Sequence, residues 1–218
     1  MHQKAYRGIG MEGKIAKWYA ATIGKDSAEF SALAERVARS LPPNARVLEV
    51  APGPGYFAIE LARIGKCRVT GLDISATFVA MARENARAEG VEVDFRRGNA
   101  SDIPFPRVSF DFVVCRAAFN KFARPADALQ EMYRVLRAGG RALIIDLRRD
   151  APKEAVYAEL DRMRLGAVGS VFSKLTFRFM VHKRTFTQDE FRGFIARSRF
   201  REATIEQTPI GLEVTLVK

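Results

Sequence analysis

The chain has few of the residues that build disulfide frameworks or metal centres. Its 218 residues include two cysteines and two histidines, with no C-x-x-C pair and no His/Cys cluster. Cys67 and Cys115 both lie in apolar, strand-like runs, so we expect buried free thiols in a reducing compartment. No cluster of carboxylates suggests a catalytic metal. We therefore expect neither a zinc site nor a disulfide scaffold, and no metal.

Long apolar runs and targeting segments are also missing. No run approaches the roughly 18 residues of a membrane span, and residues 1–6 lack the apolar core of a signal peptide. No internal repeat, linker or low-complexity stretch interrupts the chain. We therefore expect a cytoplasmic protein without a membrane partner, folded as a single domain over residues 1–218.

Positive charge is in excess, because 36 basic residues face 25 acidic ones and the formal net charge is +11. Nucleic acid is one partner that would explain this balance. The basic residues are nevertheless scattered, in runs of no more than two or three. An Arg-rich surface facing solvent is the simpler interpretation, so nucleic acid is an unlikely partner that the charge leaves open.

The central feature of the sequence is a strand, a glycine turn and a helix. Residues 47–50 form an apolar run rich in β-branched side chains, residues 52–55 read Pro-Gly-Pro-Gly, and apolar residues then recur at helical spacing. Such a unit opens nucleotide-binding α/β sheets, where glycine lets the backbone approach a ligand. Asp73 ends the next apolar run, eighteen residues after Gly55. A carboxylate there can accept hydrogen bonds from both ribose hydroxyls.

The pattern around the turn, from Glu49 to Gly55, reads E-x-A-x-G-x-G. It lacks the third glycine of the dinucleotide fingerprint and the G-K-[ST] of a P-loop. It resembles motif I of the class I S-adenosylmethionine (SAM)-dependent methyltransferases, E/D-x-G-x-G-x-G. Ala51 stands where the family has its first glycine, and alanine resists a positive φ. Three further segments resemble later motifs of the small-molecule, ubiquinone-biosynthesis-like branch, so that the match spans residues 45–148: 98–105, 109–114 and 131–140.

The resemblance implies a Rossmann-like, doubly wound α/β fold with seven strands in the order 3-2-1-4-5-7-6, the last strand antiparallel. Periodicity places strands at 47–50, 68–73, 91–95, 110–115, 142–147, 201–207 and 212–217. We expect residues 1–43 to form a helical cap and 44–218 the core, with a helical insertion near 152–186 that includes an apolar segment at 171–182. Residues 1–24 should form a mobile lid whose helix packs on one face: Ile15, Trp18, Tyr19 and Thr22.

The family's cofactor is SAM, and the resemblance assigns its contacts residue by residue. The glycine turn and Glu49 would meet the methionine part, Asp73 the ribose, and Ile74 the face of the adenine. Asn99, where the family usually has Asp, would accept from the adenine amino group through its amide oxygen. The complete set of expected cofactor residues is Glu49, Ala51, Gly53, Gly55, Asp73, Ile74, Asn99, Ala100 and Arg116.

The methyl acceptor is less defined, because the cofactor supplies the reactivity and the family need not share a catalytic residue. Residues 116–120 should face the reacting methyl, and they lack the motifs of methyltransferases that act on exocyclic base amines or on pyrimidine carbon. We expect direct in-line transfer to oxygen, nitrogen, sulfur or carbon of a small molecule, by a monomer or homodimer. RNA methylation and a non-catalytic SAM-fold binding protein remain as alternatives. The substrate-side candidates are Trp18, Tyr19, Arg116, Asn120, Arg148, His182 and Arg184.

Overall fold

Seven strands form one sheet in the order β3-β2-β1-β4-β5-β7-β6. The structure, a computed structural model, describes residues 6–7, 10–23, 27–162 and 185–218. Strands β1 to β5 pair in parallel, and β7 runs antiparallel to both β5 and β6. The predicted order and the antiparallel last strand are therefore confirmed. The strands are β1 (Ala45–Val50), β2 (Cys67–Asp73), β3 (Asp94–Arg97), β4 (Phe110–Arg116), β5 (Leu136–Leu147), β6 (Glu202–Gln207) and β7 (Gly211–Val217).

Helices cover both faces of the sheet. They are α1 (Gly13–Ile23), α2 (Ser27–Arg39), α3 (Tyr56–Arg63), α4 (Ala76–Ala88), α5 (Pro125–Val135), α6 (Lys153–Arg162) and α7 (Gln188–Ala196). Helices α2, α3 and α4 share one buried apolar cluster with the sheet, and α5 and α7 share another. The chain reverses its direction across the sheet between β1 and β4, which in open α/β sheets is where ligands bind.

Two helix starts show how sequence fixes local structure. The Ser75 hydroxyl accepts from the Phe78 amide and caps α4. Thr187 and Glu190 form the predicted capping box of α7, in which each side chain accepts from the other's backbone amide.

Two strands begin three or more residues away from the predicted positions. Strand β3 begins at Asp94 rather than at residue 91. Strand β5 begins at Leu136, directly after α5, and not at residue 142. The glycine pair Gly139 and Gly140 therefore lies within β5. There the register shifts between Phe110 and Phe112 of β4, and a Cβ on Gly140 would come within 3.0 Å of the Asp111 carbonyl oxygen. The glycines allow a bulge rather than stopping a helix.

Helix α1 buries a different face from the one expected. Ala16 and Ala20 are buried and Tyr19 is half-buried, whereas Ile15 is 44% and Trp18 is 68% exposed. The small alanines allow the helix to lie close to the domain, so the larger apolar side chains point outward. The side chain of Thr22 lies outside the described residues, as does the apolar segment expected at 171–182. None of the described helices combines the length and the apolar character needed to cross a bilayer.

Candidate functional site

A cavity of about 340 Å³ lies at the carboxyl ends of β1, β2 and β4. Its walls are the turn between β1 and α3, the residues that follow β2, β3 and β4, and an N-terminal part of the chain. The cavity therefore occupies the position at which the strand order reverses. All the predicted cofactor residues line it except Gly55, which is part of the turn but does not line the cavity.

The turn after β1 has a backbone that favours glycine at three places. Ala51, Gly53 and Gly55 have φ values of 60°, 57° and 85°. A Cβ on Gly55 would lie 2.7 Å from the Phe95 ring and 2.9 Å from the Ala82 Cβ, so packing as well as φ excludes a side chain. A Cβ on Gly53 would meet no atom within 4 Å, which leaves the backbone there open to a ligand. Ala51 adopts the positive φ that alanine resists. Its amide donates a hydrogen bond to the Leu72 carbonyl oxygen at 2.8 Å, which holds this conformation.

Asp73 connects the turn to the start of α4. Its Oδ2 accepts from the Gly53 amide at 3.0 Å, and its Oδ1 accepts from the Ser75 amide at 2.8 Å. Burial raises the pKa of this carboxyl above its ordinary value, and the backbone hydrogen bonds oppose that shift. Each oxygen keeps a further lone pair for a ligand hydroxyl. Asp73 thus has a structural role in addition to the predicted one.

Glu49 is an acid buried at the end of β1. It is 3% exposed, and its Oε2 has no hydrogen-bond partner. Burial raises its pKa to about 8, although the charge of Arg116 and a hydrogen bond with the backbone of Ala58, near the start of α3, both lower it. A buried carboxylate with a free oxygen is costly unless a cation or donor meets it. The cavity wall therefore offers a site for a cationic group beside Glu49.

The opposite part of the cavity carries the residues expected at the adenine. Ile74 is 38% exposed and presents an apolar surface. Asn99 and Ala100 line the wall, and the Asn99 Oδ1 accepts from the Ser101 amide at 3.0 Å. One acceptor position of that oxygen is thus already used, which fixes the orientation of the amide and leaves the second lone pair available.

Arg116 and Tyr19 are the two substrate-side candidates that line the cavity. The Arg116 guanidinium donates to Glu29 Oε1 at 2.6 Å and lies 4.4 Å from the centroid of the Phe30 ring. Tyr19 packs edge-on against Phe78 at 5.9 Å between ring centroids. Burial raises the pKa of the Tyr19 hydroxyl, and the charge of Arg116 opposes that shift. Helix α1 and the end of β4 thus place a phenol and a guanidinium on one cavity.

The remaining substrate-side candidates within the described residues, Trp18, Asn120 and Arg148, do not line the cavity. Asn120 is buried, and both its backbone amide and its side-chain amide donate to the Asp146 carboxylate, so it positions the segment after β4. Trp18 faces outward, as described above. Arg148 donates to Gln207 Oε1 at 2.7 Å. His182 and Arg184 lie outside the described residues.

The N-terminal part of the chain contributes cavity residues that the sequence did not predict. Glu12 accepts from the amides of Ala76 and Thr77 at 2.9 and 3.0 Å, at the start of α4. The carbonyl oxygen of Met11 accepts from the Ser75 hydroxyl. At the other side of the cavity, Tyr6 pairs with Phe122 in an isolated bridge and the Arg7 amide donates to the Lys121 carbonyl oxygen. These contacts join residues more than 60 positions apart, for which no local pattern exists. We call residues 6–13 the strap; of these, 8 and 9 lie outside the described residues.

No group of three or more His, Cys, Asp or Glu side chains that could hold a metal ion occurs within the described part of the chain. The cavity instead combines an unpartnered acid, an acid beside a glycine turn, an apolar surface with an amide, and aromatic side chains. An elongated ligand with a cationic end, vicinal hydroxyls and a flat base matches these features in order along the wall.

Comparison with known proteins gives a consistent result. A family model described as a methyltransferase domain matches residues 48–144. The chain is 40% identical over 102 residues to the demethylmenaquinone methyltransferase of Deinococcus radiodurans; the match covers 46% of this chain and 42% of that protein. The chain thus spans less than half the length of that curated relative.

Two longer matches extend the similarity along the chain. The ubiquinone/menaquinone biosynthesis C-methyltransferase UbiE of Geotalea daltonii is 26% identical over 181 residues, which cover 78% of this chain and 76% of that protein. The crystal structure of a SAM-dependent methyltransferase from Methanococcus maripaludis, itself described as putative, superposes with a TM-score of 0.77 at 18% identity, covering 99% of this chain and 97% of that one. At that identity the structural match supports the fold alone.

Proposed function

Because the chain belongs to the class I SAM-dependent methyltransferases, we propose that it transfers the methyl group of SAM to a ring carbon of a small quinol. The cofactor follows from the family, and its bound sulfonium makes the methyl group electrophilic. The acceptor, the attacked atom, the in-line geometry and the role of each residue in the transfer belong to the proposal.

The unpartnered carboxylate oxygen of Glu49 is the observation that carries the proposal. The α-ammonium of the methionine part is a cation that would satisfy this oxygen and offset the cost of its burial. The open backbone at Gly53 would lie against the same part of the cofactor. Asp73 would accept from the ribose hydroxyls with the lone pairs that its backbone contacts leave free. Ile74 and Asn99 would contact the base.

Aromatic rings line the cavity, together with the guanidiniums of Arg97 and Arg116. The rings belong to Tyr19, Phe30, Tyr56, Phe57, Phe78 and Phe122. Such a wall suits a flat aromatic acceptor and keeps water from it. Arg116 carries the charge that would stabilise an oxyanion formed when an acceptor hydroxyl loses its proton. A ring oxyanion makes the neighbouring carbon more nucleophilic, which is what carbon methylation requires.

The relatives favour this acceptor class, because the Deinococcus and Geotalea proteins are named for demethylmenaquinone and for ubiquinone and menaquinone biosynthesis. Arg116 would orient the acceptor oxygen, and Tyr19 would close the cavity above it. No general base is assigned: burial raises the pKa of the Tyr19 hydroxyl, which makes it a hydrogen-bond donor at neutral pH.

Calorimetry and a transfer assay test the proposal. SAM and its demethylated product S-adenosylhomocysteine should bind, and NAD should bind at least tenfold more weakly. With labelled SAM, a short-chain demethylmenaquinol should accept the label on carbon, whereas its bis-O-methylated analogue should not. Arg116→Met should lower turnover at least tenfold, and it should lower turnover more than it lowers SAM affinity. Transfer to RNA without transfer to the quinol, or tight SAM binding without transfer to any acceptor class, would contradict the proposal.

A further inference from the structure

We propose that the outer face of α1 docks on the surface of an anionic lipid bilayer, so that the cavity receives an acceptor from the membrane. This face consists of Lys14, Ile15, Lys17 and Trp18. The proposal rests on the proposed function, because a quinol with a long apolar tail resides in a bilayer. The expectation of no membrane partner came from the lack of a spanning run, which has no bearing on a contact made at the membrane surface.

The first observation is the arrangement of side chains around α1. At 100° per residue, the four members of the outer face lie on one side of the helix, and the buried Ala16 and Ala20 lie on the other. Ile15 and Trp18 are two of the large apolar side chains that the structure leaves most exposed, at 44% and 68%. Tryptophan and an aliphatic residue flanked by lysines are typical of helices that lie in the interface of a bilayer.

The second observation is charge. Helix α1 contains no acidic residue, and in the described part of the chain no ion pair involves Lys14 or Lys17. The nearby Glu12 is already used, because it accepts from the first amides of α4. The whole chain carries a net charge of +11. An anionic lipid surface is complementary to this face, and it attracts each basic residue that comes within a Debye length.

The third observation is the position of the face relative to the cavity. Tyr19 follows Trp18 in the helix, and it lines the cavity from the inside. A single helix therefore separates the outer face from the acceptor side of the cavity. Two apolar side chains are also too small a patch for a stable dimer, which buries about 800 Å² on each partner. Insertion of a few side chains into a lipid interface needs no such area.

Trp18 is the only tryptophan, so its fluorescence reports on this face directly. The full chain should show a blue-shifted emission and co-sedimentation with vesicles of phosphatidylcholine containing about one third phosphatidylglycerol, and much less with phosphatidylcholine alone. High salt should reverse the binding. Lys14→Glu/Lys17→Glu and Ile15→Ser should each weaken vesicle binding at least tenfold while SAM affinity stays unchanged.

Matched controls use exposed residues at the amino ends of the strands, whereas the cavity lies at their carboxyl ends. Lys66 precedes β2 and Val108 precedes β4, and both are exposed. Lys66→Glu and Val108→Ser should leave vesicle binding unchanged. The outer-face variants should turn over a water-soluble short-chain quinol normally and lose turnover only on a long-chain quinol presented in vesicles.

Three results would overturn the docking proposal: no vesicle binding by the full chain, equal weakening by the control variants, or a Trp18 shift that follows self-association or added RNA and not lipid. Turnover of the soluble quinol without vesicle binding would overturn docking and leave the proposed function intact. Vesicle binding that depends on the outer face, without transfer to any quinol, would support docking and overturn the proposed acceptor.

Discussion

Glu49 is a residue whose protonation is coupled to folding. Its pKa rises from an ordinary value of 4.5 to about 8 in the folded chain. The folded state prefers the protonated form of Glu49. Its stability is therefore highest below about pH 4.5, and the contribution of this preference is lost as the pH rises through 8. Glu49→Gln cannot ionise, so relative to wild type it should gain stability over this range, on the order of 5 kcal/mol at most.

Urea unfolding at several pH values between 5 and 9 measures this gain. The exposed Glu92→Gln is the control, and it should follow the wild-type profile. Parallel profiles for wild type and Glu49→Gln would contradict the assignment. In the same variant SAM affinity should fall, because the cationic group loses its charged partner.

Ala51 and Gly55 should respond to substitution in opposite directions. Ala51→Gly removes a Cβ from a backbone at φ 60°. The relief of about 1–2 kcal/mol exceeds the added entropy of the unfolded chain, about 0.4–1 kcal/mol. The variant should therefore be more stable by up to about 1 kcal/mol, as thermal unfolding will show. Gly55→Ala should be clearly destabilised, because its Cβ meets Phe95. Destabilisation of both variants would show that the strain is absent.

Asp73→Asn should weaken both cofactor binding and the fold. Replacing one oxygen by an NH₂ group leaves an amide of Gly53 or Ser75 without an acceptor, at a cost of about 1–3 kcal/mol. The hydrogen bonds that Asp73 accepts from these two amides are the reason why the fold should lose stability as well as affinity. Calorimetry on the folded variant should show a loss of SAM affinity of about one to three orders of magnitude, from two charge-assisted hydrogen bonds. Unchanged affinity would place the ribose elsewhere.

At the scale of the element, the capping box of α7 contributes stability without touching the cavity. Thr187→Ala should cost about 1 kcal/mol, because the Glu190 amide loses its acceptor. Thr187→Ser keeps the hydroxyl and should cost little. Helix α7 packs through Phe191 against Phe119, at 4.8 Å between ring centroids. SAM affinity should stay unchanged in both variants, and a loss in Thr187→Ala would mean that α7 is coupled to the cavity.

Elements also differ in how well local pattern predicts them. The strands beside the glycine turn and the start of α7 follow from periodicity and capping, which involve neighbours along the chain. The start of β5 does not, because a glycine pair is compatible with both a helix end and a bulge, and pairing with β4 decides between them. The prediction of the buried face of α1 was also wrong, because packing against distant parts of the chain decides it. The small Ala16 and Ala20 let the helix lie close to the domain, and the larger apolar side chains point outward.

At the scale of the whole molecule, removal of the N-terminal region should abolish methyl transfer while the sheet still folds. Neither of the two buried apolar clusters includes any of the described residues before residue 25. A chain that starts at residue 25 should therefore unfold cooperatively, yet lose methyl transfer because Tyr19 and the strap no longer exclude water. Since Met11, Glu12 and Tyr19 line the cavity, we also expect about a tenfold loss of SAM affinity.

Calorimetry and the transfer assay on the truncated chain measure both effects. Normal turnover would show that the N-terminal region is no lid. The single domain, the cytoplasmic location and the choice between monomer and homodimer stay predictions.

The sequence by itself determined the strand–turn–helix unit, the acid at the end of β2 and, through the family motifs, the order of the sheet. Each of these depends on residue types at fixed short spacings. The tertiary structure alone decided that Asn120 binds Asp146, that the described residues of the strap line the cavity, and that one oxygen of Glu49 has no partner. These contacts join residues from distant parts of the chain, and their formation depends on which surfaces the packed sheet brings together.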